Sequence, residues 1–182
     1  MTPPPAIVVM GVSASGKSVV GIEIARRLHL PFVDADDLHP AANVVKMSQG
    51  IPLTDADRMP WLDLVGERLA LRSAGGEVPD SVEAGSSGVV IACSALKRSY
   101  RDRLRARAPH TVFVHLTGDP ELLSTRALAR TGHFMPPALL ASQLATLEPL
   151  GDDEPGVVVD VADDVATVAE RAVEWVQRGG SE

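Results

Sequence analysis

The chain reads as a three-layer α/β/α domain on a parallel sheet, and three features predict it. Short apolar runs alternate with helical stretches along almost the whole length, the runs are apolar at nearly every position, and helical stretches between them are long enough to cross back over a sheet. Residues 6–10 form the first run, of buried-strand type, and 18–28 follow with helical spacing at Val19, Ile22, Ile24, Ala25 and Leu28. A second short strand is expected at 32–33, then helices at 40–48 and 56–71, the first with Pro40 near its start, where a missing N–H costs nothing. Strand 89–93, helix 96–107, strand 112–116 and helix 120–129 come next, and helix 136–147, strand 157–161 and helix 164–178 close the pattern. Right-handed crossovers would cover both faces of the sheet and leave the ligand cleft at the carboxyl ends of the strands. Residues 73–88, rich in glycine, serine and acids, read as a flexible surface loop within a single domain, and there is no internal repeat.

Whole-chain numbers narrow the function. At 182 residues, 45% hydrophobic and 23% charged, the chain is of ordinary size and composition for a globular domain. A net charge of −7 argues against general nucleic-acid binding, which needs a basic face, so any bound anion must be held by a local cluster of donors. The single cysteine, Cys93, lies in an apolar run and is expected to pack in the core of a protein kept in a reducing compartment. Residues 1–12 lack a basic leader region, and no stretch approaches the ~20 apolar residues of a membrane span, so a cytoplasmic protein with no membrane partner is expected. Only three of the 17 basic residues are lysines, Lys17, Lys46 and Lys97. Such a bias fits lysine kept where a compact ammonium is needed, and equally fits chance survival.

The strongest signal is Gly11-Val12-Ser13-Ala14-Ser15-Gly16-Lys17-Ser18, which fits the phosphate-binding pattern G-x-x-x-x-G-K-[ST] and stands between a strand and a helix. Its glycines let the backbone wrap phosphate oxygens, while successive N–H groups and the helix end supply positive potential. Lys17 would bridge the β- and γ-phosphates of ATP, and the Ser18 hydroxyl would ligate Mg²⁺. Asp34 and Asp36 follow the second strand. Two carboxylates two residues apart suit phosphoryl transfer, one holding a Mg²⁺-bound water and the other accepting the proton of an attacking hydroxyl; they also fit an acidic turn capping the next helix. No acid stands at the tip of the 89–93 strand, which shifts the magnesium role toward Asp34.

Further blocks stand in order: Asp34-Ala35-Asp36-Asp37-Leu38-His39-Pro40, Asn43, Lys46-Met47, Gly50-Ile51-Pro52-Leu53, Asp57-Arg58-Met59-Pro60-Trp61-Leu62, Cys93-Ser94-Ala95-Leu96-Lys97, Tyr100-Arg101-Asp102, Gly118-Asp119 and Gly132-His133-Phe134-Met135. Together they resemble the thermoresistant-type gluconokinases, of the shikimate-kinase-like branch of P-loop kinases, from about residue 7 to residue 150. The resemblance implies a P-loop kinase fold, transfer of phosphate from Mg-ATP to D-gluconate to give 6-phospho-D-gluconate, and a homodimer. It also gives Asp36 the role of base. Two departures stand out: Ala14 where many members have glycine, and a longer 73–88 segment.

Within that resemblance, substrate-binding helices are expected over about 36–72 and a lid over about 126–137. Gluconate offers a carboxylate and several hydroxyls. Arg58 is a suitable carboxylate fork because a guanidinium pairs bidentately, and an exposed helix-start arginine is its bland alternative. His39 fits either a contact to substrate hydroxyls or a cap for the following helix. Ser94 and Lys97, beyond the third strand, are expected at the cleft mouth. Arg126 and Arg130, four apart on one helical face, would by resemblance stack on adenine and close onto the phosphates. Of the basic run Arg98, Arg101, Arg103, Arg105 and Arg107, only Arg101 is expected at substrate or phosphate. Two rival readings stand beside this one. A small P-loop kinase for shikimate, adenylylsulfate or a nucleoside monophosphate would need a different acceptor, and a nucleotide-dependent switch would hydrolyse ATP slowly without one.

Overall fold

The structure, a computed structural model, describes residues 5–73, 88–129 and 137–180. Most of the expected surface loop at 73–88 and the 130–136 part of the expected lid, Arg130 included, lie outside the described residues. In the described residues five strands form one sheet: β1 Ala6–Met10, β2 Phe32–Asp34, β3 Val89–Ala92, β4 Thr111–Thr117 and β5 Gly156–Asp160. Their order is β2-β3-β1-β4-β5, and every neighbouring pair is parallel. Among the described residues seven helices accompany them: α1 Lys17–Leu28, α2 Ala41–Ser48, α3 Asp55–Ser73, α4 Arg98–Arg107, α5 Pro120–Ala129, α6 Pro137–Thr146 and α7 Val165–Gln177. A 3₁₀ turn, Ala35–Leu38, links β2 to α2. The expected elements are all present, with ends displaced by one or two residues.

The apolar runs predict a sheet covered on both sides, and β1 shows why. Each of its residues has 0% exposure. Ile7 and Val9 pack in one core cluster, whereas Ala6, Val8 and Met10 pack in the other, as the two-residue period of a strand requires. Val20 and Ile24 of α1, Leu123 of α5, Leu140 of α6 and Val168 and Ala172 of α7 close the first face. Leu62, Val65 and Leu69 of α3, with Tyr100 and Leu104 of α4, close the second. The start of α3 is fixed by a reciprocal cap: Asp57 N donates to Thr54 Oγ1 at 3.2 Å, and Thr54 N donates to Asp57 Oδ2 at 2.9 Å. The crossover from β1 to β2 skips the position that β3 later fills. The carboxyl ends of β1 and β3 therefore lie side by side at a reversal of strand order, where open α/β sheets place their ligands.

One buried ion pair braces this end of the sheet, and it corrects an expectation. Arg101 was expected at substrate or phosphate, but its side chain in α4 has 0% exposure and pairs with Glu154, itself 1% exposed. Its Nε and Nη2 donate to the two Glu154 carboxylate oxygens at 2.6 and 2.8 Å. The remaining donors reach the carbonyls of Ala95, Leu96, Glu148 and Pro149 at 3.0–3.4 Å. No donor is left for a ligand, so this guanidinium is a brace of the fold. Burial pushes the Glu154 carboxyl up, but the Arg101 guanidinium and the Gly151 N–H outweigh it and hold the group below the ordinary carboxylate range. Breaking a buried pair leaves a buried charge uncompensated. Glu154→Ala should therefore cost about 3–5 kcal/mol in a urea-unfolding measurement, and a loss below about 1 kcal/mol would contradict the bracing role.

Candidate active site

The glycine-rich loop between β1 and α1 has the backbone its sequence requires. Gly11 lies at φ 147° and Gly16 at φ 88°. A Cβ on Gly11 would sit 2.7 Å from the Leu116 carbonyl and 2.9 Å from Ser15 Oγ, so no other residue fits there. Ala14 lies at φ 65°, in the left-handed region where a side chain costs about 1–2 kcal/mol; glycine, common at this position in the family it resembles, would avoid that strain. Ser15 is 1% exposed, and its hydroxyl has no hydrogen-bond partner among the described residues. Lys17 Nζ donates to the Val12 carbonyl at 3.0 Å, and Ser13 N donates to Gln143 Oε1 of α6 at 2.6 Å. Gly11 N donates to the Ser94 carbonyl at 3.3 Å, which draws the segment after β3 against the loop.

The two aspartates meet this loop through one contact. Ser18 Oγ donates to Asp34 Oδ2 at 2.8 Å, and the other Asp34 oxygen accepts from Asp36 N at 3.1 Å. Asp34 thus caps the 3₁₀ turn with one carboxylate oxygen and faces the loop with the other. A hydroxyl beside a carboxylate is the hard-oxygen set that Mg²⁺ accepts. The Asp36 side chain is 85% exposed to water. Its carboxyl is pushed above the usual aspartate value, first by desolvation and then by the Asp34 charge, with Lys17 and His39 opposing.

A second row of side chains orders the turn that carries these acids. Trp61 Nε1 donates to the buried Ala35 carbonyl at 2.7 Å. The indole stacks on His39 with ring centroids 4.2 Å apart and planes within 12°. Asn43 Nδ2 donates to the Asp57 carbonyl at 2.9 Å and lies 3.3 Å from His39 Nδ1. Because a carbonyl only accepts, the amide must present its N–H groups, so Nδ1 of His39 is the acceptor and Nε2 carries the proton. That Nε2–H faces Asp36 Oδ1 at 4.0 Å. Burial holds the His39 pKa below its ordinary value, which favours the neutral ring. The capping alternative for His39 fails, since the N-cap of α2 is Pro40 and no side chain caps that helix.

Across the cleft, Lys97 Nζ donates to both oxygens of Asp55, at 2.9 and 3.2 Å, and the Tyr100 hydroxyl donates to the same carboxylate. Arg58 Nη1 stands 3.6 Å from it. The Tyr100 hydroxyl and then Lys97 hold the Asp55 carboxyl below its ordinary range. Arg58 and Lys97 therefore converge on one carboxylate. A cavity of about 390 Å³ lies on the far side of the loop, lined by Ala14, Gly16, Val19, Arg126, Val161 and Val165 among others. Arg126 Nη2 donates to the Val161 carbonyl at its edge, at 2.8 Å. Other hollows, lined by Arg105, Pro155 and Trp175, open away from these motif residues and carry none of them.

No family model matches the chain. Among curated proteins it is 46% identical over 165 residues to the thermosensitive gluconokinase of Escherichia coli (strain K12), spanning 90% of this chain and 83% of that protein. It is 40% identical over 173 residues to the thermoresistant gluconokinase of the same strain, spanning 94% and 93%. Among solved structures, a gluconokinase from Sinorhizobium meliloti 1021 superimposes with a TM-score of 0.82 at 49% identity, covering 99% of this chain and 95% of that one.

Several residues here escaped sequence reasoning. Gln143 lies 130 residues from its partner Ser13 and carries no local signal. Trp61, Asn43 and Tyr100 stood in the matching blocks without a role, and Asp55 stood outside them. Trp61→Phe tests the second row. It keeps the ring stack but removes the donor to the Ala35 carbonyl, so stability should fall by about 1–3 kcal/mol in urea melts. A variant as stable as the parent would show that the indole N–H does not hold the turn.

Proposed function

The chain belongs to the gluconokinase family, and we propose that it transfers the γ-phosphoryl group of ATP to the C6 hydroxyl of D-gluconate, giving ADP and 6-phospho-D-gluconate. The Ser18–Asp34 hydrogen bond carries this reading, because it brings the phosphate loop and the paired aspartates into one cleft. The N–H groups of the loop and Lys17 bind the phosphates, while the cavity edged by Arg126 takes the adenine. By family resemblance Arg130 closes onto the phosphates. Ser18 and Asp34 hold Mg²⁺, which supplies charge neutralisation on the phosphate oxygens.

Residues 36–72 form the sugar-acid side, with Ser94 and Lys97 facing them. Arg58 and Lys97 are the pair for the gluconate carboxylate, a role supported by their convergence on the Asp55 carboxylate. Ser94 and the His39 Nε2–H address substrate hydroxyls. As the bond from the C6 oxygen to phosphorus forms and the bond to the β-phosphate oxygen breaks, Asp36 accepts the hydroxyl proton. Its raised pKa matches that duty better than an ordinary aspartate. The active form is a homodimer, as the family resemblance implies, and exposed apolar side chains of Val44, Val45 and Met47 on α2 offer a surface for it. No helix among the described residues is long and apolar enough to cross a membrane. The cytoplasm is its proposed site.

A coupled ADP assay against a panel of acceptors tests the substrate. D-gluconate should drive ATP turnover, whereas shikimate, adenylylsulfate and nucleoside monophosphates should not; turnover indifferent to every acceptor would point to a nucleotide switch.

Paired variants separate the carboxylates. Asp36→Asn should lower kcat about a hundredfold with gluconate affinity little changed, since a positioned base supplies ~10²–10⁴ in rate. The sign of its pH dependence follows from the raised pKa. Protonated Asp36 cannot act as base, so the acid limb of kcat should fall at higher pH than an ordinary aspartate would give and vanish in Asp36→Asn. Asp34→Asn should instead raise the Mg²⁺ concentration needed for half-maximal rate. Near-normal kcat in Asp36→Asn, or loss through gluconate binding alone, would move the base elsewhere.

A further inference from the structure

We infer that Gln143 is a catalytic residue, donating its side-chain amide to the γ-phosphoryl group of the bound nucleotide. This rests on the kinase reading above and adds to it a group from α6, a helix outside the phosphate loop, the paired aspartates and the arginines.

Four observations support it. The Ser13 N–H lies in the loop that cradles phosphates, and Gln143 Oε1 accepts from it at 2.6 Å. The peptide unit concerned joins Val12 to Ser13, and its carbonyl end accepts from Lys17 Nζ at 3.0 Å. Gln143 and the ammonium assigned to the β- and γ-phosphates thus grip opposite ends of one peptide. The orientation of the amide is settled by chemistry, since a backbone N–H only donates; Oε1 must face Ser13, and the two Nε2 protons remain for something else. Nε2 has no hydrogen-bond partner among the described residues.

The helix places this amide by packing. Leu140 of α6 is 3% exposed in the core cluster that also holds Val20 and Ile24 of α1, and Leu144 packs against that cluster. Gln143 lies between their positions along the helix, and its half-buried side chain reaches the loop. A neutral donor held here stabilises the charge that spreads over the γ-phosphoryl oxygens in a loose transition state, without tightening the hold on product as a fixed cation would. The bland alternative is an anchor, by which Gln143 merely ties α6 to the loop.

Gln143→Glu separates the two. The carboxylate keeps the acceptor for Ser13 and nearly the same shape, but replaces the two donors by a negative oxygen facing phosphate. The donor role predicts a melting midpoint like the parent's and a kcat lowered about a hundredfold. It further predicts that affinity for a non-hydrolysable ATP analogue falls by about tenfold or more relative to affinity for ADP. Gln143→Met, which removes donor and acceptor without adding charge, should repeat the selective loss toward the ATP analogue. Wild-type kcat in Gln143→Glu overturns the proposal. So does a loss shared equally by ADP and the ATP analogue in both variants, which is the anchor's signature. A parent enzyme inactive on gluconate would instead sink the proposed substrate, and the nucleotide affinity ratio would still decide the role of Gln143.

Discussion

Arg101 and Glu154 bury a guanidinium and a carboxylate together, and the cleft is arranged around that act. The guanidinium collects carbonyls from two segments, Ala95 and Leu96 after β3 and Glu148 and Pro149 after α6, and so ties the chain entering β5 to the segment that carries Ser94 and Lys97. Glu148 N donates to the Leu96 carbonyl at 2.8 Å and reinforces the tie. Ala95 sits at φ 43°, a strained conformation for a residue with a side chain, which persists where its surroundings over-determine it. Ser94, next to it, accepts from Gly11. The phosphate loop therefore begins against a segment whose shape is set by a side chain that never meets a ligand. Desolvating both charges makes such a pair a poor source of net stability, and its value here lies in the geometry it imposes.

A chain with net charge −7 must build an anion site locally. Backbone N–H groups at the start of α1 supply positive potential at no cost in net charge. The lysines divide between tasks. Lys17 lies in the loop and Lys97 faces Asp55 across the cleft, whereas Lys46 pairs at 2.7 Å with Asp57, the residue that caps α3, and so serves the scaffold. Most of the arginines in the 98–107 run pair with surface acids, as Arg103 does with Asp63 at 2.7 Å and Arg98 with Asp153. Such exposed pairs contribute little stability.

Around the acids the side chains form successive layers. Asp36 reaches into the open cleft, His39 presents an N–H toward it, and Trp61 and Asn43 fix the imidazole in place and tautomer. Trp61 and Asn43 act on His39 through a stack and a hydrogen bond, and the nearly buried imidazole they hold stands 4.0 Å from the solvent-exposed Asp36 carboxylate. Cys93, close by, takes no part: burial pushes its thiol up to about 12, which makes it a packing group.

The sequence alone determined whatever depends on near neighbours along the chain. Apolar runs and helical spacing mark the strands and helices because burial is read residue by residue, and the loop from Gly11 to Ser18 and the Asp34–Asp36 pair are legible because their chemistry is contained in a few consecutive positions. Its limits show at Arg101, which stands in a matching block and looks like a ligand-binding cation. Only the fold reveals that Glu154, 53 residues away, and four carbonyls consume its donors. The same reason hid Gln143, whose partner is 130 residues distant, and the convergence of Asp55 with Lys97, 42 residues apart. A side chain's role is fixed by which donors and acceptors remain unspent once the chain has folded, and that sum is closed by contacts between elements the sheet order brings together, β1 beside β3 and α6 against the loop, which local pattern does not encode.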